Sequence, residues 1–154
     1  MSKLNDDEKL VYTPVIAYLT ELGYTPRTNK KRNFVVEYAK KGKAISKMEI
    51  NNGRLMFWLR FSGCKEYSRI FQDAVKRHKK SWAKGGQALG SLDISKCCGC
   101  CKSENRYYHF TDEKGEKINR CGVENLLIEG ITSDDVPEIL RLMKEQDEYF
   151  NNIC

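Results

Sequence analysis

At 154 residues, 40% hydrophobic and 31% charged, the chain is large enough to bury one continuous core and too apolar for a disordered tail, so a single domain over 1–154 is expected. No run approaches the roughly 20 apolar residues of a membrane helix, and Met1 to Lys9 lack a signal peptide's apolar stretch; the expected location is cytoplasmic, with no membrane partner. The net charge of +6 is uneven: residues 1–102 carry 21 Lys and Arg against 9 Asp and Glu, whereas residues 103–154 carry 6 against 12, which predicts one basic face.

Thr13 and Pro14 have the form of an N-cap and a first helical residue, and Gly23 ends the apolar run that follows, so a helix is expected over 14–22. Asn5 to Glu8 suit the cap of a shorter helical turn, which Pro14 keeps from joining the helix smoothly. Three strands come next. Phe34, Val36 and Tyr38 alternate within 33–39, residues 44–50 form a second extended run, and Leu55, Phe57, Leu59 and Phe61 alternate with Arg54, Met56, Trp58 and Arg60. Asn51, Asn52 and Gly53 suit a tight primed turn, and Lys40 to Lys43 with Gly42 serve the turn before it, giving an antiparallel meander.

Over 65–84 the residues Tyr67, Ile70, Phe71, Ala74, Val75 and Trp82 fall on one helical stripe, while Lys65, Arg69, Lys76, Arg77, Lys79 and Lys80 cover much of the rest. Gly85, Gly86 and Gly90 then mark a loop of about a dozen residues, long enough to be a candidate for ligand contact. Residues 106–111 and 117–123 read as a hairpin around Gly115, with 126–128 extending the sheet. A closing helix over 136–150 has Asp135 as its N-cap and Glu138 completing a capping box.

The densest chemistry is the run Cys97, Cys98, Gly99, Cys100, Cys101. A seven-cysteine chain without a secretion signal holds thiols or metal ligands more readily than disulfides. Two Cys separated by two residues bend around one zinc ion, and the cluster offers that spacing as Cys97 with Cys100 and as Cys98 with Cys101. If the hairpin pairs about Gly115, Cys121 lies roughly opposite Tyr107 and returns a third thiolate, so 97–121 forms a Cys-rich loop and hairpin. The second half, Cys121-Gly122-Val123-Glu124, is an incomplete knuckle, and a fourth ligand must come from the rest of the cluster, from Cys64, from His109 or from water. Zn2+ is the cofactor expected. Burial as small hydrophobes, a thiol-disulfide pair and a sensor for a soft ion such as Cu(I) are the competing readings.

Trp58, Tyr38, Tyr108 and Trp82, with Phe57 and Tyr107 near them, are candidates to line a pocket between the sheet and its helices; core packing is the alternative for each. Lys76, Arg77, Lys79 and Lys80, with Arg27, Lys30, Lys31, Arg32, Lys40, Lys41 and Lys43, are candidates for contact with nucleic acid, against which stands a plain solvated face. No complete nucleic-acid motif and no catalytic signature is visible: His78 and His109 are the two histidines, and Glu37, Glu49 and Glu66 have no partner by sequence. The balance leans away from an enzyme.

The order of elements, with the hairpin ending in Arg120-Cys121-Gly122 and the run Thr132-Ser133-Asp134-Asp135-Val136-Pro137 before the last helix, resembles a group of small uncharacterised bacterial cytosolic proteins. The resemblance covers nearly the whole chain and brings no activity or residue role with it. The layout is also similar to GyrI-like small-molecule-binding domains, without their duplicated half.

The expected fold is α+β, an antiparallel sheet of a three-strand meander plus a C-terminal hairpin, packed by about three helices, with a metal-binding Cys-rich loop. The leading functional expectation is a zinc-stabilised binding module for a small molecule or protein partner. Nucleic-acid binding through the basic helix and a thiol- or zinc-dependent enzyme or metal sensor are the alternatives.

Overall fold

The structure, a computed structural model, describes residues 4–29, 34–77 and 107–152. The first helix, α1 (Asp6–Glu21), starts a full two turns before the expected position. Asn5 is the cap: its side chain accepts from the Glu8 amide at 2.8 Å, and Glu8 returns the bond to the Asn5 amide at 3.0 Å. The helix runs straight through Pro14, and Thr13 is an exposed helical residue. An interior proline costs about 3 kcal/mol. Val11, Tyr12, Val15 and Leu19 form one buried stripe on both sides of it, and each such apolar side chain contributes about 1.5–3 kcal/mol. The helix ends as expected at Gly23, at φ +84°, where the amides of Gly23 and Tyr24 reach back to the carbonyls of Thr20 and Leu19.

Strands β1 (Thr25–Asn29), β2 (Phe34–Lys40), β3 (Lys43–Asn51), β4 (Arg54–Leu59) and a late strand, β7 (Leu126–Ile128), form one antiparallel sheet in the order β1-β2-β3-β4-β7. Two turns make this register. Lys41 and Gly42, and then Asn52 and Gly53, all adopt positive φ, as a primed two-residue hairpin turn requires. Strand β1 has no apolar alternation and contains Pro26, which an edge position tolerates because no neighbour needs its missing donor. The hairpin β5 (Tyr107–Thr111) and β6 (Lys117–Cys121) does not join this sheet but forms a second one of two strands, while β7 takes the place beside β4.

Directly paired residues share a face, so the register sorts the side chains. Val36, Met48, Phe57 and Ile128 form one row across the inner face, and Tyr38, Ser46, Leu59 and Leu126 the next. They share one core with α1, with α2 (Arg69–Arg77) and with α3 (Val136–Asn152) through Phe71, Val75, Ile139, Leu142 and Met143. Helix α2 starts at Arg69, not at residue 65, because the amides of Phe71 and Gln72 bond to the Ser68 carbonyl. Its expected continuation beyond residue 77 lies outside the described residues. Before α3 the cap also moves back one turn. The Thr132 amide and hydroxyl both donate to Asp135, a 3-10 turn follows over Ser133–Asp135, and Glu138 accepts instead from the Ser68 amide at 2.7 Å. No helix among the described residues is long and apolar enough to cross a membrane.

A buried polar junction ties the helices to the sheet. Lys40, from the end of β2, donates to the Leu22 carbonyl at 2.8 Å and pairs with Asp147 of α3 at 2.9 Å. The Tyr24 hydroxyl donates to the same carboxylate at 2.9 Å, and burial, then that hydrogen bond, push the phenol's pKa up. Lys43 donates to the Phe150 carbonyl in the last turn of α3, at 3.0 Å. Neither α1 nor α3 has a basic residue in its own last turn, so the sheet supplies the cations that helix C-termini favour.

Two substitutions test this packing. A Cβ on Gly63 would meet the Tyr149 ring at 2.6 Å, so Gly63→Ala is expected to lower stability by about 1–3 kcal/mol, seen as a lower urea midpoint with unchanged slope. Lys40→Met leaves the Asp147 carboxylate, 11% exposed, without its cation and is expected to cost about 2–4 kcal/mol. Adding Asp147→Asn to Lys40→Met removes the orphaned charge and should restore part of that loss in the same urea titration.

Candidate functional site

The β5-β6 hairpin is built around Asp112. Its side chain accepts from the amides of Lys114 and Glu116 at 2.9 Å each, and Gly115 takes the positive φ that closes the loop. The Glu116 amide, then that of Lys114, hold the carboxyl below its ordinary value against the opposing effect of desolvation. The pairing that follows is Tyr107 with Cys121, Tyr108 with Arg120, His109 with Asn119, Phe110 with Ile118, and Thr111 with Lys117. Cys121 therefore stands opposite Tyr107, as the turn about Gly115 predicts.

One face of this hairpin is committed to the core. Tyr108 is fully buried, its ring edge-on to Phe61 at 4.8 Å and its hydroxyl donating to the Glu124 carbonyl at 2.7 Å, and Phe110 and Ile118 pack beside it. Two further bonds fasten the hairpin to the segment after β4: Tyr67 OH donates to the His109 carbonyl at 2.9 Å, and Ser62 Oγ to the Gly122 carbonyl at 2.9 Å. The other face carries Tyr107 and Cys121, 3% and 5% exposed, with half-buried His109 next along the strand.

His109 Nδ1 lies 3.2 Å from the Tyr107 carbonyl. A carbonyl only accepts, so in that contact the ring nitrogen is the donor. Cys64 has a different setting. It is 2% exposed, and its thiol donates to the Leu142 carbonyl of α3 at 3.4 Å. Burial, reinforced by the Glu145 carboxylate, pushes that thiol's pKa up. Cys97, Cys98, Cys100 and Cys101 lie outside the described residues, as do His78, Trp82, Lys79, Lys80 and the glycines of 85–90. Among the described residues no group of three or more His, Cys, Asp and Glu side chains is placed to hold a metal ion.

The aromatic candidates do not share a wall. Trp58 is on the outer face of the large sheet, Tyr38 is buried on the inner face, and Tyr108 is spent on docking the hairpin. A β-bulge separates the first two. An uninterrupted hairpin about Lys41 and Gly42 would pair Tyr38 with Ile45 and put it on Trp58's face, but the register slips so that Tyr38 pairs with Ser46. Ile45 is the extra residue, fully buried, and its carbonyl accepts from the Arg60 amide at 2.8 Å.

The outer face has an order of its own. Arg27, Glu37, Lys47, Trp58 and Leu127 form one row across the five strands, charged toward β1 and apolar toward β7; Val35, Glu49 and Met56 form the next. Lys47 sits 4.1 Å over the Trp58 ring and pairs with Glu49 at 3.1 Å. That contact follows from the Asn52-Gly53 turn alone, which sets Lys47 opposite Trp58. The cations of α2 are also engaged: Arg69 with Glu113 at 3.5 Å, Arg77 with Glu129 at 3.4 Å, and Lys76 over the Phe110 ring at 5.6 Å.

The Asp112 turn predicts how the hairpin responds to acid. Its carboxyl titrates lower folded than unfolded, so its contribution is full above the unfolded value of about 3.9 and is lost as the pH falls through the folded value. The Lys114 and Glu116 amide resonances should shift with that carboxyl, below the ordinary range, and Asp112→Asn should abolish the titration. No family model, no curated protein and no solved structure matches this chain.

Proposed function

We propose that this chain is a zinc-stabilised binding module for a small-molecule or protein partner. The observation that carries the metal half is the Tyr107 and Cys121 register: Cys101 precedes Tyr107 by only six residues, a stretch that spans at most about 20 Å when extended. The hairpin thus returns Cys121 within reach of Cys98 and Cys101, or of Cys97 and Cys100. Thiolates at that spacing suit tetrahedral zinc, and with a third from a hairpin end the pattern resembles three quarters of a zinc ribbon. The ion would pin the Cys-rich loop to a hairpin that is itself fixed to the core by Tyr108, Tyr67 and Ser62.

For the binding half, support comes from the outer sheet face. Val35, Met56, Trp58 and Leu127 supply apolar area there, with Lys47, Glu49 and Glu37 as polar neighbours, a mixture suited to a ligand of mixed character.

Protein purified without added metal is expected to carry about one equivalent of zinc, and Cys121→Ser to lose most of it. If zinc stands at 1,000 times its dissociation constant it contributes about 4 kcal/mol. Chelation should then lower the melting temperature by roughly 10 °C. A preparation that carries no metal, with all seven cysteines titrating as free thiols once the chain is unfolded, would sink the proposal.

A further inference from the structure

We propose that Asn52, at the tip of the turn between β3 and β4, is a site of spontaneous covalent modification in the native protein. Its carboxamide closes on the Gly53 nitrogen, and the isoaspartyl product breaks the strand register that the turn sets. The turn and its chemistry are independent of any metal or ligand.

The sequence supplies the reacting pair. Asn52-Gly53 is the one place in the chain where asparagine precedes glycine. The attacking atom is the backbone nitrogen of the following residue, which a side chain shields and glycine leaves open. The Gly53 nitrogen bonds to Asn52 Cγ and gives up its proton, while the bond from Cγ to the amide nitrogen breaks and ammonia leaves. A five-membered succinimide results, and water then opens it. Cleavage between the ring nitrogen and Cγ restores the ordinary backbone with an aspartate. Cleavage at the main-chain carbonyl carbon instead routes the backbone through Cβ and Cγ, as isoaspartate, and lengthens it by one carbon. Nothing is oxidised or reduced. Either product carries one new carboxylate, so the net charge falls from +6 by one unit.

The fold leaves this pair accessible. Both residues are exposed, and the Asn52 carboxamide makes no hydrogen bond to a described residue. A Cβ built on Gly53 meets nothing within 4 Å apart from its chain neighbours, so no side chain covers the attacking nitrogen. Other asparagine side chains are engaged: Asn5 accepts from the Glu8 amide, and Asn151 donates to Asp147.

The two products differ in consequence. The turn holds φ at +50° and +74° in succession, closed by the pairing of Asn51 with Arg54. Aspartate accepts this turn as asparagine does, so the ordinary product keeps the hairpin. Isoaspartate puts an extra main-chain atom into a two-residue loop, and every pair from Asn51 with Arg54 to Ser46 with Leu59 counts from that loop. The contact at stake on the outer face is Lys47, opposite Trp58 and 4.1 Å over its ring.

Peptide mapping of the native full-length protein, kept in warm and mildly alkaline buffer where the attacking nitrogen loses its proton more readily, tests the site. The expected result is exchange of NH for O in the peptide that holds residues 51–54, a shift of one charge on isoelectric focusing, and methylation of the product by an isoaspartate-specific carboxyl methyltransferase. Asn52→Gly keeps a turn that two glycines accept and should abolish all three signals. In the isolated isoaspartyl form the nuclear Overhauser contact between Lys47 and Trp58 should be lost, whereas freshly prepared Asn52→Asp, with the same charge, should retain it. A native protein whose 51–54 peptide stays unmodified, or converts only after unfolding in urea, overturns the proposal. Isoaspartyl protein that keeps the Lys47 to Trp58 contact overturns the loss of register. If Asn52→Gly does not fold, mapping of the wild-type chain decides, because the modified residue is identified there directly.

Discussion

The ammonium group of Lys40 is the point on which the arrangement of the large sheet and two of its helices depends. It bonds at once to the carbonyl of Leu22, which caps the C-terminus of α1, and to the Asp147 carboxylate of α3, from the strand that carries it. Both helices end without a basic residue of their own, so two C-terminal dipoles and one carboxylate converge on cations that the β2-β3 hairpin delivers. Tyr24 closes the junction by donating to the same carboxylate, and Asn151 adds a third donor at 3.2 Å. Replacing a buried pair by apolar groups is often neutral or stabilising, so maximal stability is not what such a junction supplies. It fixes the direction in which each helix leaves the sheet.

That direction matters for the hairpin. Helix α3, held at its far end by Lys40 and Lys43, offers the Leu142 carbonyl to Cys64 and the Gln146 side chain to the Gly63 amide at 2.8 Å. These two bonds shape the turn after β4. Phe61 and Tyr67 flank that turn, and their rings meet edge-on at 4.9 Å. Phe61 also meets Tyr108 of the hairpin, and Tyr67 OH reaches the His109 carbonyl. A continuous chain of contacts therefore runs from the Lys40 junction through α3 and the Phe61 cluster to the strand opposite Cys121. The proposed metal site has a rigid support on one side before any ion binds.

Much of this was legible in the sequence where the signal is local. Asn52 and Gly53 dictate their turn because few residues tolerate two successive positive φ angles, and that turn sets every pair between β3 and β4. Gly115 and Asp112 set the hairpin register and bring Cys121 opposite Tyr107 in the same way. The failures are where tertiary contacts outweigh local preference. The penalty of Pro14 is local, but the gain from burying Val11, Val15 and Leu19 on one surface exists only once the sheet is present. Strand β1 has no hydrophobic pattern to read, since its place at the edge asks for none. The single bulge at Ile45 is equally silent, yet it moves Tyr38 from the face of Trp58 into the core and removes half of an apparent aromatic pocket. Strand parity carries over a hairpin only until one residue is inserted.

The parity argument has more force in the small sheet, where no bulge intervenes. A two-stranded hairpin is marginal alone and must be stabilised from at least one side. Tyr108, Phe110 and Ile118 face the core and provide that side, which commits alternate residues of β5 and β6 to packing. Tyr107, His109, Asn119 and Cys121 lie on the opposite face, with the exposed Thr111 and Lys117 at its turn end. Yet Tyr107 and Cys121 are as buried as core residues. Parity thus puts Cys121 and His109 together on the face opposite Tyr108. The inner half, docked through Tyr108 on Phe61 and the Glu124 carbonyl, is what holds that outer face in place.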